Sequence, residues 1–193
     1  MNRREAMRML AGVSAASFAW TPGQATAAMR LAQAARAAPG SFEPAFFSDH
    51  EYATVRVLAD MVIPADARSG SATEAGVPEF MDFMMIDQPR RQVAMRGGLA
   101  WLDFIARDRF DAAFLDCAKG QRETILDDLA WPDRAPARLS HGVAFFTAFR
   151  DLTATGFWSS KMGIDDLGYI GNRFVGRWRG CPDEQLRKLG LID

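Results

Sequence analysis

The sequence predicts a mainly α fold, a compact helical domain with a long irregular Gly/aromatic C-terminal segment, on three observations. Alanine, at 32 residues, outnumbers valine and isoleucine together, at 15, so the β-branched residues that favour strands are scarce. No stretch sustains the apolar–polar alternation of a half-buried strand. Several windows instead repeat apolar residues at helical spacing between capping residues, Pro and Gly. At 193 residues, 49% hydrophobic and 24% charged, the chain has material for one core.

The first residues read as an address. Arg3, Arg4 and Arg8 precede the apolar run from Met9 to Trp20, which meets Thr21-Pro22-Gly23 and the small residues Ala25-Thr26-Ala27. This three-part order is that of a signal peptide, expected to be cut after Ala27. The run falls short of the roughly 20 residues that span a bilayer. Paired Arg3-Arg4 ahead of a moderately apolar run marks residues 1–27 as a twin-arginine-type signal, read by the twin-arginine export machinery, although Ala6 stands where a bulky apolar residue is usual. Residues 28–45, rich in Ala at the start, read as a linker, and 46–193 as the helical domain.

Ser48-Asp49-His50-Glu51 forms a capping box, with Phe47 placed to staple onto Tyr52. The helix it opens carries Tyr52, Val55, Leu58, Ala59 and Val62 on one stripe and stops before Pro64. A second opens at Val77-Pro78, buries Phe80, Met81, Met84 and Met85, and ends at Pro89. Five of the ten Met lie between 61 and 95, which suits adaptable core packing or a Met-lined groove. From Pro89 a long helix places Val93, Leu99, Leu102, Ile105 and Ala106 inward, and Gly97-Gly98 imply a closely packed neighbour or a break. Ile125, Leu126 and Leu129 mark a shorter helix closed by Trp131-Pro132. Leu139-Ser140 opens another, with Val143, Phe146, Phe149, Leu152 and Thr153 on one face, Phe145 beside it and Gly156 as its left-handed end. Beyond Gly156, Gly163, Gly168, Gly171, Gly176 and Gly180 punctuate a stretch with Phe157, Trp158, Tyr169, Phe174 and Trp178, a spacing that predicts no helix. The chain closes with a helix from Pro182-Asp183-Glu184 to Gly190.

Composition narrows the chemistry. Lys plus Arg (23) balances Asp plus Glu (24), so the positive field that nucleic acid requires is missing. Two His and two Cys are too few for a Cys-rich zinc site, an iron–sulfur cluster or covalent haem. Neither GxGxxG nor GxxxxGK[ST] occurs. His50 and His141 read as helix-end residues. Asp127, Asp128 and Asp133 around Trp131 would serve as paired acid and base beside a sugar platform in an independent exported carbohydrate-active enzyme. Ser160 and Lys161, being adjacent, do not aim at each other as a dyad would. No catalytic, cofactor-binding or metal residue is therefore assigned.

Aromatics and Arg in a loop are what interface hot spots are made of, and they equally suit the chain's own core. Phe157, Trp158, Tyr169, Phe174, Trp178 and Cys181 are the candidate partner interface. Cys117 reads as a buried thiol; in an oxidising compartment Cys181 would pair with Cys117 or with another subunit.

Several blocks together carry a resemblance: Ala75-Gly76-Val77-Pro78-Glu79-Phe80, Asp87-Gln88-Pro89, Gly98-Leu99-Ala100-Trp101-Leu102-Asp103 and Asp128-Leu129-Ala130-Trp131-Pro132-Asp133, then Phe149 to Phe157, Lys161-Met162-Gly163-Ile164, Gly171-Asn172 and Gly180-Cys181-Pro182. From about Phe46 to Leu191 the chain resembles the gluconate 2-dehydrogenase subunit 3 family. The resemblance implies a small, cofactor-free periplasmic subunit beside a FAD-containing dehydrogenase catalytic subunit, which holds FAD with or without an iron–sulfur cluster, and a multihaem cytochrome c subunit carrying haem c. It also implies a twin-arginine signal that exports a catalytic subunit lacking its own, with membrane association through the complex. A transient periplasmic assembly chaperone is the other expectation of this kind.

Overall fold

The structure, a computed structural model, describes residues 22–37, 42–169, 171, 174, 176–177 and 180–192. These hold eight α-helices: α1 (Pro22–Ala37), α2 (Asp49–Val62), α3 (Val77–Asp87), α4 (Gln92–Phe110), α5 (Lys119–Ala130), α6 (Ser140–Ser159), α7 (Lys161–Asp166) and α8 (Asp183–Lys188). No strand occurs among the described residues. Short 3-10 turns at Pro89–Arg91 and Ala137–Leu139 lead into α4 and α6.

The starts and stops follow local chemistry. Ser48 caps α2 through its Oγ, which accepts the Glu51 amide at 3.3 Å, while a Glu51 carboxylate oxygen accepts the Ser48 amide at 2.9 Å. Gly76 takes φ 88° ahead of Pro78, a backbone turn that a β-carbon would strain.

Helix α6 is the axis of the molecule, packing against α1 to α5 and α7. Its inner face buries Phe145, Phe146, Phe149, Leu152 and Thr153, against Phe80, Met81, Leu102, Ile125 and Leu129 in the same core. Two glycines set its spacing. A β-carbon on Gly98 of α4 would come within 1.8 Å of the Phe145 ring, and one on Gly142 within 2.3 Å of Trp101. Of the two readings of Gly97-Gly98, close packing holds: Gly98 meets the neighbour and α4 runs unbroken.

Long-range polar ties fix what periodicity leaves loose. Asp82 of α3, 2% exposed, accepts the successive amides of Ala45, Phe46 and Phe47 at 2.9 to 3.0 Å and so sets the approach to α2. Asp103 of α4 accepts the Phe114 amide at 3.0 Å and lies 2.6 Å from His50 Nε2, joining α2, α4 and the turn before α5.

Four expectations need correction. Residues 28–37, read as linker, belong to α1, which packs on α3 and α6 and buries Ala25, Ala28, Met29 and Ala32. Its apolar face is narrow and made mostly of methyl groups, so it lacks a strong amphipathic signature, yet it suffices opposite a nearly wholly buried α3. Burying one Met and three Ala contributes on the order of 4 kcal/mol, modest for a 16-residue helix. Val93 is 84% exposed: it lies about two and a half turns from Leu102 and hence on the opposite face. Gly156 is not a left-handed end. It lies inside α6, which runs on to Ser159, and it is a glycine because a β-carbon there would fall 2.8 Å from the Phe80 ring. The Gly-rich stretch does form a helix, α7, because Ser160 supplies a cap and Gly163 a close approach.

Candidate functional site

The corner between α6 and α7 carries the first of the aromatic residues singled out by sequence. Ser160, fully buried, donates its hydroxyl to the Phe157 carbonyl at 2.6 Å and accepts the Gly163 amide at 3.0 Å. A β-carbon on Gly163 would lie 2.1 Å from the Phe157 carbonyl oxygen, so only glycine lets α7 fold back this closely. At the far end of α7, Gly168 adopts φ 63° and donates to the Asp165 carbonyl, while the Tyr169 amide reaches the Ile164 carbonyl at 3.1 Å. Arg68, in the α2–α3 loop, grips both the Asp166 carbonyl at 2.6 Å and its carboxylate at 2.9 Å. Lys161 pairs with Asp165 one turn along. The corner is thus held from both sides.

Two neighbouring side chains on it diverge. Phe157 is 1% exposed and belongs to the core, which corrects its place among the interface residues: it continues the inner face of α6. Trp158, next in sequence, is 40% exposed, with its ring edge-on to Phe157 at 4.9 Å. Leu167 and Tyr169, both about three-fifths exposed, follow on the outside of the corner. Phe174 is almost fully exposed. Trp178, Arg3 and Arg4 lie outside the described residues. Of the two candidate cleavage residues, Ala25 is buried and Ala27 exposed.

Both cysteines are free thiols, Cys117 buried and Cys181 exposed. Burial pushes the Cys117 thiol up from its ordinary range, which disfavours the reactive thiolate.

The carboxylates around Trp131 are surface groups. Asp127, Asp128 and Asp133 are all exposed, and Asp128 is 2.7 Å from Arg109. Trp131 is also exposed, with the Arg134 guanidinium 5.6 Å from its ring centre. Among the described residues no three His, Cys, Asp or Glu side chains gather as a metal site, and no described helix is long and apolar enough to cross a membrane.

Sequence patterns did not mark Leu167 as part of the exposed corner, nor Asp82 and Asp103 as the long-range ties that fix the approach to α2 and the turn before α5. Leu167 had a signal, an apolar residue before a Gly-terminated helix; the two aspartates had none, because their partners lie 11 to 53 residues away.

Residues 49–180, spanning α2 to α7 and the chain after them up to Gly180, match the family described as Gluconate 2-dehydrogenase subunit 3. The chain belongs to the gluconate 2-dehydrogenase subunit 3 family. By its name, that family supplies one subunit of a gluconate 2-dehydrogenase complex. No curated protein and no solved structure matches the chain.

Proposed function

We propose that this subunit 3 protein is a non-catalytic partner of a periplasmic FAD-dependent dehydrogenase acting on a sugar or polyol, gripping the flavoprotein subunit, supporting its folding and carrying it through twin-arginine export. The single observation that supports this most is the braced α6–α7 corner with Trp158, Leu167 and Tyr169 turned outward. Large apolar side chains on a rigid support bind a partner with little ordering cost, as hot-spot residues do. The exposed Phe174 and the free Cys181 extend the same segment. The flavin chemistry and onward transfer to a cytochrome then belong to the partners, and the substrate follows the catalytic subunit.

The test is co-purification. Trp158→Ala combined with Tyr169→Ala is expected to lower recovery of the flavoprotein by at least about tenfold, since two anchors of roughly 1 kcal/mol or more each are lost, while the helical circular dichroism is unchanged. Undiminished recovery would remove the corner as the contact. Turnover of a carbohydrate by the isolated chain without flavin, abolished by Asp128→Asn, would favour the independent enzyme instead.

A further inference from the structure

Helix α1 puts one short segment to two incompatible uses. The triplet Ala25-Thr26-Ala27 has the small side chains at the third and first positions before a cut that a leader peptidase seats in its own pockets. Such a peptidase takes its substrate unwound. In the folded protein the same residues form the first two turns of α1, with Ala25 only 3% exposed and the residues after the cut, Ala28 and Met29, at 2% and 1%. Ala32 continues the buried face one turn on, and the helix packs on α3 and α6. Ala25 cannot occupy the core and a peptidase pocket at once.

We infer that docking of α1 on α3 and α6 shields the Ala27–Ala28 bond, so that leader removal proceeds only from a form in which α1 has lifted away. The inference rests on reading residues 1–27 as a leader. Among the α1 residues whose side chains are described, the buried ones are one methionine and three alanines. A helix held by so few apolar atoms opens locally without unfolding the rest, and the rate of processing tracks the population of that open form. Processing and core completion are thereby ordered: a chain that folds before it meets the peptidase keeps its leader longer than one that meets it unfolded. Residue Ala27 itself is exposed, so the barrier is the helix and its anchoring neighbours, not a cover over the bond.

The experiment uses the full chain, folded and purified with its leader, incubated with purified leader peptidase and mapped by mass spectrometry. Met29→Asp places a charge under the middle of α1. Ala32→Arg does so farther along, outside both peptidase pockets, and serves should the first variant lose its fold. Trypsin cleavage after Arg30, an exposed residue of α1, reports undocking independently of the leader. Cutting after Ala27 is expected to speed up by about tenfold or more in the variants, in step with cutting after Arg30. Equal rates after Ala27 in all three chains, with Arg30 protected only in the native one, would overturn the shielding while leaving the leader reading intact. Absence of any cut after Ala27, with Arg30 newly cut in the variants, would sink the leader reading and the inference with it. Unchanged trypsin cleavage after Arg30 would show that α1 is not held by these residues and would also overturn it.

Discussion

Asp82 and Cys117 show how much a single side chain can depend on its surroundings. Asp82 satisfies three consecutive amides from a buried position, so its carboxylate holds the 45–47 segment against α3. Asp82→Ala is expected to cost about 2 to 3 kcal/mol, the range for removing a charged acceptor from buried donors, and urea denaturation measures it. Cys117 gives a pH-dependent readout. Its thiol ionises at higher pH folded than unfolded because burial penalises the thiolate. Alkali therefore draws protons from the unfolded chain first, and stability falls as pH rises from the ordinary thiol range toward the raised folded value. Cys117→Ser is expected to reduce that alkaline slope. At pH 8 a thiol reagent should label the exposed Cys181 fast and Cys117 only on unfolding, a biphasic time course that the native protein either shows or does not.

At the scale of elements, neighbouring residues of one helix carry opposite consequences. Gly97 has open space where a β-carbon would go, whereas Gly98 faces the Phe145 ring. Gly97→Ala is expected to stabilise α4 by about 0.5 to 1 kcal/mol through helix propensity. Gly98→Ala is expected to destabilise by about 1 to 3 kcal/mol through overpacking, and paired thermal melts distinguish the two. The α6–α7 corner behaves alike. Phe157→Ala removes a fully buried ring and should cost about 3 to 5 kcal/mol, while Trp158→Ala, one position on, should leave the melting curve nearly unchanged and act on partner recovery. These contrasts follow from which side of a helix each residue occupies, and from nothing else in its chemistry.

For the molecule as a whole, the proposed role depends on division of labour. A core organised around α6 supports an exposed aromatic corner at one end of that helix, and α1 packs on α3 and α6. Deleting α1 entirely is expected to lower stability without dissolving the α2–α6 core, because most of the large buried side chains lie outside it. Limited proteolysis of a chain starting at residue 42 would check this: a resistant fragment is the expected result.

The helices α2 to α6 were legible in the sequence because their signals are local. A capping box at Ser48, prolines at 64, 78 and 89, and apolar residues recurring every three or four positions specify the starts, stops and inner faces within a few residues of chain, apart from Val93 on α4 and the end of α6. The family was legible too, through blocks whose joint order is specific. Three-dimensional packing decided the rest. A methyl-lined α1 counts as a core helix only because α3 is there to meet it; positions 156 and 163 are held to glycine because the Phe80 ring and the Phe157 carbonyl leave no room for a β-carbon. Phe157 and Trp158 are near-equals in hydrophobicity, and it is the continuation of α6 that sends one inward and the other out. Periodicity encodes which residues share a face, but which face meets a neighbour is set by contacts between residues far apart in the chain, and those have no local signature.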